Sequence, residues 1–353
     1  MRLHEPPGQG DFLTMNDLRD YRIGVIGAGS WGTALANMLA EKGYAVTLWV
    51  YEQELFELLQ QGRCNTWYLP ERALDERLAF TQDLGRAVED KQVILWATPV
   101  KVFRELFSRA LQDIDSKSRH ASASKGIEIQ SLKTVSQIAQ ELMPGSAQEH
   151  FAVVSGPSFA QEVGLKMPTA VVSACRNDDT ARTIQRVLAT HYFRTYTSRD
   201  VLGVELGGAL KNVMAIASGI IAGLGFGANT RAALITRGLA EIMRLGSRLG
   251  ADPLTFSGLS GIGDLLLTCT STQSRNYTVG TELGRGERLE DIMARMKMIA
   301  EGVYTAKSSH ALAREYAVEM PIVREIYLVL FENKHPQQAL EDLMGRELKQ
   351  ETR

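Results

Sequence analysis

The chain has 353 residues, enough for two domains with sizeable cores. Its 39 basic residues nearly balance 41 acidic ones, which excludes the one-signed surface of a nucleic-acid or acidic-lipid binder. Cys64, Cys175 and Cys269 are odd in number and far apart, with no CxxC pair or Cys/His cluster, so neither a disulfide framework nor a metal site is expected and a reduced, cytoplasmic setting is.

Residues 1–20 hold Pro6, Pro7, Gly8 and Gly10 without a long apolar run, and read as a flexible leader rather than a signal peptide. Arg22–Ile26 reads as a buried strand, followed at once by Gly27-Ala28-Gly29-Ser30-Trp31-Gly32 and a helical pattern from Thr33 to Lys42. This is G-x-G-x-x-G between a strand and a helix. The first glycine permits the tight turn, the second lets backbone approach a pyrophosphate, and the third lets helix pack on strand. Free N–H groups at the helix start then face the phosphates. A second strand, Ala45–Val50, ends in Tyr51-Glu52. A carboxylate about 20 residues past the fingerprint suits a ribose 2′-hydroxyl. With Tyr51 beside it and no arginine there, the choice between NAD and NADP stays open.

A helix from Glu52 to Gln61 leads into the polar-aromatic loop Cys64–Pro70. Strands follow at Val93–Ala97, Ala121–Ser124 and Phe151–Val154, ending in Thr98-Pro99, Lys125-Gly126 and Ser155-Gly156-Pro157-Ser158. Ligands of doubly wound sheets lie outside the carboxyl ends of strands, so Thr98, Lys125 and Ser158 should converge on one crevice. Ser158 and Gln161 also fit a capping box that would start a helix at Ser158. After Ala170–Ser173 and Phe193–Thr197 the strands stop, and from about Asp200 the pattern is helical.

Val201–Leu224 is apolar and long enough to mimic a membrane span, but Glu205, Lys211 and Asn212 interrupt it and no second span exists. It is expected to be a core helix. Lys211 either snorkels to water or stays desolvated with a lowered pKa. Gly203, Gly207 and Gly208 suggest close approach of backbone or ligand. The turn Gly223–Gly227 ends this helix, and Asn229 or Thr230 is expected to cap the next, Arg231–Arg244. Gly258–Gly263 is glycine-rich and ends at Asp264. The hydroxyl and amide run Thr268–Asn276 contains Arg275, and suits either a phosphate or a solvent-facing loop. None of the six histidines falls in these motifs.

Taken jointly, Gly27–Gly32, Lys125-Gly126, Ser155–Ala160, Lys211-Asn212, Asn229–Gly238, Gly261–Asp264, Ser274-Arg275-Asn276 and Glu301-Gly302 resemble the bacterial-type NAD(P)-dependent glycerol-3-phosphate dehydrogenases, over Arg22 to about Leu340. The resemblance implies reversible reduction of dihydroxyacetone phosphate to sn-glycerol 3-phosphate with NAD or NADP and no metal, feeding phospholipid synthesis. It assigns proton transfer to Lys211, supported by Asp264. It assigns substrate contacts to Lys125, Gly156, Ser158, Lys211, Asp264, Ser274, Arg275 and Asn276. Cofactor contacts fall to Gly27, Gly29, Ser30, Trp31, Gly32, Tyr51, Lys125, Ala160, Arg275, Ile299 and Glu301. The expected fold is a Rossmann-type doubly wound α/β domain, residues 21–199, followed by an all-α substrate domain, residues 200–353. No nucleic acid or membrane insertion is expected, and a homodimer is compatible with this reading. Two other readings stand beside it. A related lysine-dependent 3-hydroxyacid dehydrogenase or ketopantoate reductase would not need the Ser274–Asn276 phosphate loop. A non-catalytic dinucleotide sensor would lose Lys211 or Asp264, and both are present.

Overall fold

The computed structural model describes residues 20–351 apart from 297 and 349, so the expected leader lies, except for Asp20, outside the described residues. Among the described residues ten strands precede Val201: β1 (Arg22–Ile26), β2 (Ala45–Trp49), β3 (Cys64–Asn65), β4 (Leu69–Ala73), β5 (Ala79–Thr81), β6 (Val93–Trp96), β7 (Arg119–Ser122), β8 (Phe151–Ser155), β9 (Thr169–Ala174) and β10 (Phe193–Ser198). Eight form one sheet in the order β10-β9-β8-β7-β6-β1-β2-β5. The run from β5 to β8 is parallel, β9 lies antiparallel to β8, and β10 pairs parallel with β9.

Helices cover both faces, so the central strands are apolar on both sides rather than alternating. Within β6, Leu95 joins a core with Leu35, Leu39, Leu48 and Leu55, whereas Ile94 and Trp96 join Phe103, Phe107 and Phe151 on the other face. The strand order steps outward in both directions from β1 and β6. That step opens the crevice beyond their carboxyl ends, where Gly27 and Thr98 stand.

From Val201 on the described chain is helical, built around the central helix Val201–Gly223. Residues 203–221 of this helix are all buried, so it is a core helix and not a span. It crosses the helix Arg275–Gly284 at glycines: a Cβ on Gly280 would meet the Ile216 carbonyl at 2.0 Å, and one on Gly219 the Tyr277 carbonyl at 2.1 Å. This close crossing carries Ser274, Arg275 and Asn276 to the level of Lys211 and Asn212.

Several local expectations need correction. Ser158 starts no helix: the short helix begins at Ala160, and Ser158 Oγ donates instead to the Gly156 carbonyl at 2.9 Å. Neither Asn229 nor Thr230 is a cap, because the helix runs Ala228–Arg248 with Gly227 before it. The loop after Cys64 contains the β3–β4 hairpin, and the glycine-rich stretch before Asp264 is wound into short helical turns. The short edge strand β5 carries no alternation long enough to read in advance. Glu205, one of the polar interruptions of the central helix, lies away from the crevice. It accepts from Ser136 N at 2.8 Å and Ser136 Oγ at 2.5 Å, at the start of the helix Val135–Leu142.

Candidate active site

The fingerprint helix starts at Ser30, with Gly29 before it and no side-chain cap, which leaves its first N–H groups open. Gly27 has φ +112, and a Cβ there would lie 2.8 Å from the Ala97 carbonyl. A Cβ on Gly32 would strike the Gly27 carbonyl at 1.9 Å. Gly29 differs: nothing lies within 4 Å of its Cβ position. The turn is therefore packed behind and open in front, above an uncapped positive helix end, and these residues fit a dinucleotide pyrophosphate. Buried hydrogen-bonding atoms without protein partners also occur at Trp31 Nε1 and Thr98 Oγ1.

One clamp on this turn was not legible in the sequence. Asn65 is fully buried, and its Nδ2 donates to the Ala28 carbonyl and to Thr33 Oγ1, both at 2.8 Å. A single asparagine in a polar-aromatic loop carries no signal of such a distant partner. At the end of β2, Tyr51 is 76 % exposed, and the Glu52 carboxylate accepts from Tyr68 Oη at 3.0 Å.

Deeper in the crevice three charges meet. Lys211, buried in the central helix, donates to Asp264 Oδ1 at 2.5 Å and to Thr268 Oγ1 at 2.9 Å. Lys125 donates to Asp264 Oδ2 at 2.7 Å and to the Gly156 carbonyl at 3.1 Å. The Gly156 carbonyl thus receives both Lys125 and Ser158. Ser124 Oγ donates to the Thr98 carbonyl at 2.6 Å, so the strand ends do converge as expected. Burial raises the Asp264 pKa, but the two lysines more than offset it and hold the group below the usual carboxylate value. Burial brings the Lys211 pKa down to about 8; Asp264 opposes the fall and Lys125 adds to it. Two ammonium groups against one carboxylate leave a net positive site.

Asn212 continues the wall. Its Nδ2 donates to the Lys125 carbonyl at 3.3 Å, and its Oδ1 accepts from Asn276 Nδ2 at 2.9 Å. Asn276 Oδ1 in turn accepts from Gly302 N at 2.9 Å. Ser274 Oγ is engaged as the cap of Arg275–Gly284, accepting from Tyr277 N at 3.2 Å. Arg275 faces solvent on this wall and donates to the Ile299 carbonyl at 2.9 Å. Glu301 accepts from Val100 N at 3.3 Å, and burial pushes its pKa up to about 7 against the pull of that N–H and of Arg275. Ser30 Oγ donates to Met298 Sδ at 3.4 Å, which brings the segment before Glu301 against the fingerprint. Ala160 is half-buried and packs against the fingerprint-side core.

Two family models match the chain. Residues 22–181 match the NAD-dependent glycerol-3-phosphate dehydrogenase N-terminus, and residues 200–341 match its C-terminus. The chain belongs to the NAD-dependent glycerol-3-phosphate dehydrogenase family. It is 51 % identical over 330 residues to glycerol-3-phosphate dehydrogenase (NAD(P)+) of Citrifermentans bemidjiense, covering 94 % of this chain and 98 % of that one. The crystal structure of glycerol-3-phosphate dehydrogenase from Coxiella burnetii superposes with a TM-score of 0.89 at 40 % identity, covering 93 % of this chain and all of the other. A ketopantoate reductase from Ralstonia eutropha shares the fold alone, with a TM-score of 0.59 at 11 % identity over 90 % of this chain and 99 % of its own. The ketopantoate-reductase and sensor readings are thereby set aside. The enzyme is an NAD(P)H-dependent oxidoreductase that reduces dihydroxyacetone phosphate to glycerol 3-phosphate.

Asn65→Ala tests the clamp. Losing the two bonds to the turn, together with the one Asn65 Oδ1 accepts from Tyr68 N, is expected to destabilise the fold by about 1–3 kcal/mol and to weaken NADH binding roughly tenfold. Thermal melting and nucleotide fluorescence titration check both; unchanged values would make Asn65 a bystander.

Proposed function

We propose that Lys211 transfers the proton in this reaction and that Asp264 and Lys125 set its charge and position. The observation carrying this reading is the buried Lys211 ammonium, 2.5 Å from Asp264, at the meeting of the α/β and helical parts. When bound, the reduced nicotinamide supplies hydride to the ketone carbon. Lys211 stabilises the growing alkoxide and gives it a proton. Asp264 keeps the ammonium aimed, and Lys125 prevents Asp264 from holding it too tightly. Lys125, Gly156, Ser158 and Asn276 orient the substrate, while Arg275 beside Ser274 takes its phosphate. The open face of Gly29, the helix start at Ser30 and Trp31, Tyr51, Ala160, Ile299 and Glu301 hold the cofactor. Thr268, read in the sequence only as the start of a hydroxyl run, shares Lys211 and joins the proton-transfer group.

The reading extends to a cytoplasmic enzyme that supplies glycerol 3-phosphate for phospholipids, consistent with Cys64, Cys175 and Cys269 forming no disulfide with one another. A homodimer is the working assembly, with light scattering as its check.

The pH profile tests the proton assignment. Reduction needs the ammonium form of Lys211, whose pKa burial lowers to about 8. The rate of reduction is therefore expected to hold below that pH and to fall above it. Oxidation of glycerol 3-phosphate needs the neutral amine, so its rate should rise through the same range. Profiles in the two directions that share one sign would remove Lys211 as the titrating group.

A further inference from the structure

The carboxylate that ends β2 in a dinucleotide-binding sheet accepts from the ribose hydroxyls, and its charge repels a 2′-phosphate. Here that residue, Glu52, is already engaged by the Tyr68 phenol at 3.0 Å. Tyr68 is itself fixed. Its backbone N–H donates to Asn65 Oδ1 at 3.0 Å, and the same Asn65 side chain clamps the Ala28 carbonyl of the fingerprint turn. Burial first, and then the Glu52 charge, push the Tyr68 pKa up to about 12, so the phenol remains a donor at working pH. The neighbouring Tyr51 is exposed and uncharged, leaving the Glu52 carboxylate as the charged side chain of this strand end.

We propose that Tyr68 is a positioning residue for nucleotide choice: its hydroxyl draws the Glu52 carboxylate back from the ribose, so that one site accepts both NADH and NADPH. The inference rests on the proposed placement of the adenosine end beside β2. A Glu52 released from Tyr68 gains freedom to reach the ribose hydroxyls. It then favours NADH and opposes a 2′-phosphate. Tyr68 therefore acts through Glu52 and needs no contact of its own with the nucleotide.

The test is a binding cycle. Dissociation constants of NADH and NADPH are measured by fluorescence titration for the unaltered enzyme, Tyr68→Phe, Glu52→Gln and the double variant, with thermal melts on each. Tyr68→Phe is expected to shift the ratio of the two constants about tenfold towards NADH, on the scale of one charge-assisted hydrogen bond. Glu52→Gln should shift it towards NADPH. In the Glu52→Gln background, Tyr68→Phe should leave the ratio unchanged. A ratio that responds to Glu52→Gln but not to Tyr68→Phe overturns the coupling and leaves the nucleotide placement standing. A ratio that responds to neither, with NADH still bound, overturns the placement as well. An equal Tyr68→Phe effect in both backgrounds means Tyr68 acts without Glu52, which also sinks the proposal. If Tyr68→Phe does not fold, Tyr68→Met enters the same cycle.

Discussion

Lys211→Met is expected to fold, to bind NADH and to lose turnover by about two to four orders of magnitude, the usual scale for a positioned acid–base group. Methionine keeps the length of the side chain and suits a core helix. The substitution does not orphan Asp264, because Lys125 remains 2.7 Å from its other oxygen. Thr268 Oγ1 also keeps its bond to the Asp264 carbonyl at 2.6 Å. The loss should therefore fall on chemistry rather than on the fold. The fingerprint turn is a separate structure, clamped by Asn65, so the NADH constant should stay close to that of the unaltered enzyme. Fluorescence titration and steady-state rates on one preparation check both parts. A variant that binds NADH and turns over near the normal rate would remove Lys211 from the mechanism.

Arg275→Ala is expected to weaken dihydroxyacetone phosphate by about 3 kcal/mol, near the upper range for losing a charge-assisted contact. Arg275 is the first residue of the helix Arg275–Gly284, so its charge adds to that of a positive helix end. Its existing partner is the Ile299 carbonyl, which uses one terminal nitrogen and leaves the other side of the guanidinium for a second acceptor. Unphosphorylated dihydroxyacetone should lose much less. The comparison is made on kcat/KM for both substrates. Equal losses would assign Arg275 to the cofactor or to the Ile299 segment.

Much of the architecture is legible in the sequence. The strand–glycine–helix order at Gly27–Gly32 has a local physical cause, and it predicted both the turn and its open face. The strand patterns stop at Thr197 and the helical pattern starts near Asp200, and β10 ends at Ser198. Lys211 stands out in the sequence as a lysine in an apolar helix that either snorkels or stays desolvated, and at 7 % exposure it is buried. Local chemistry read less well at helix starts. Ser158 has the right spacing for a cap, yet its hydroxyl turns to Gly156, because that backbone folds back on itself at φ +147.

The sequence by itself determined the fold class, the fingerprint and the set of polar residues that could not be ordinary core, because each depends on spacing within a few turns or one strand. Only the tertiary structure decided what those residues do together. Lys125 and Asp264 lie 139 positions apart and share an ion pair. Glu205 and Lys211 stand in one helix with the same outward signal. The first caps a neighbouring helix and the second enters the crevice. Asn65 and Tyr68 gained their parts from partners in other elements, Ala28 and Glu52. The physical reason is range: periodicity reports which face of an element is buried, while hydrogen-bond partners depend on how packed elements are brought face to face.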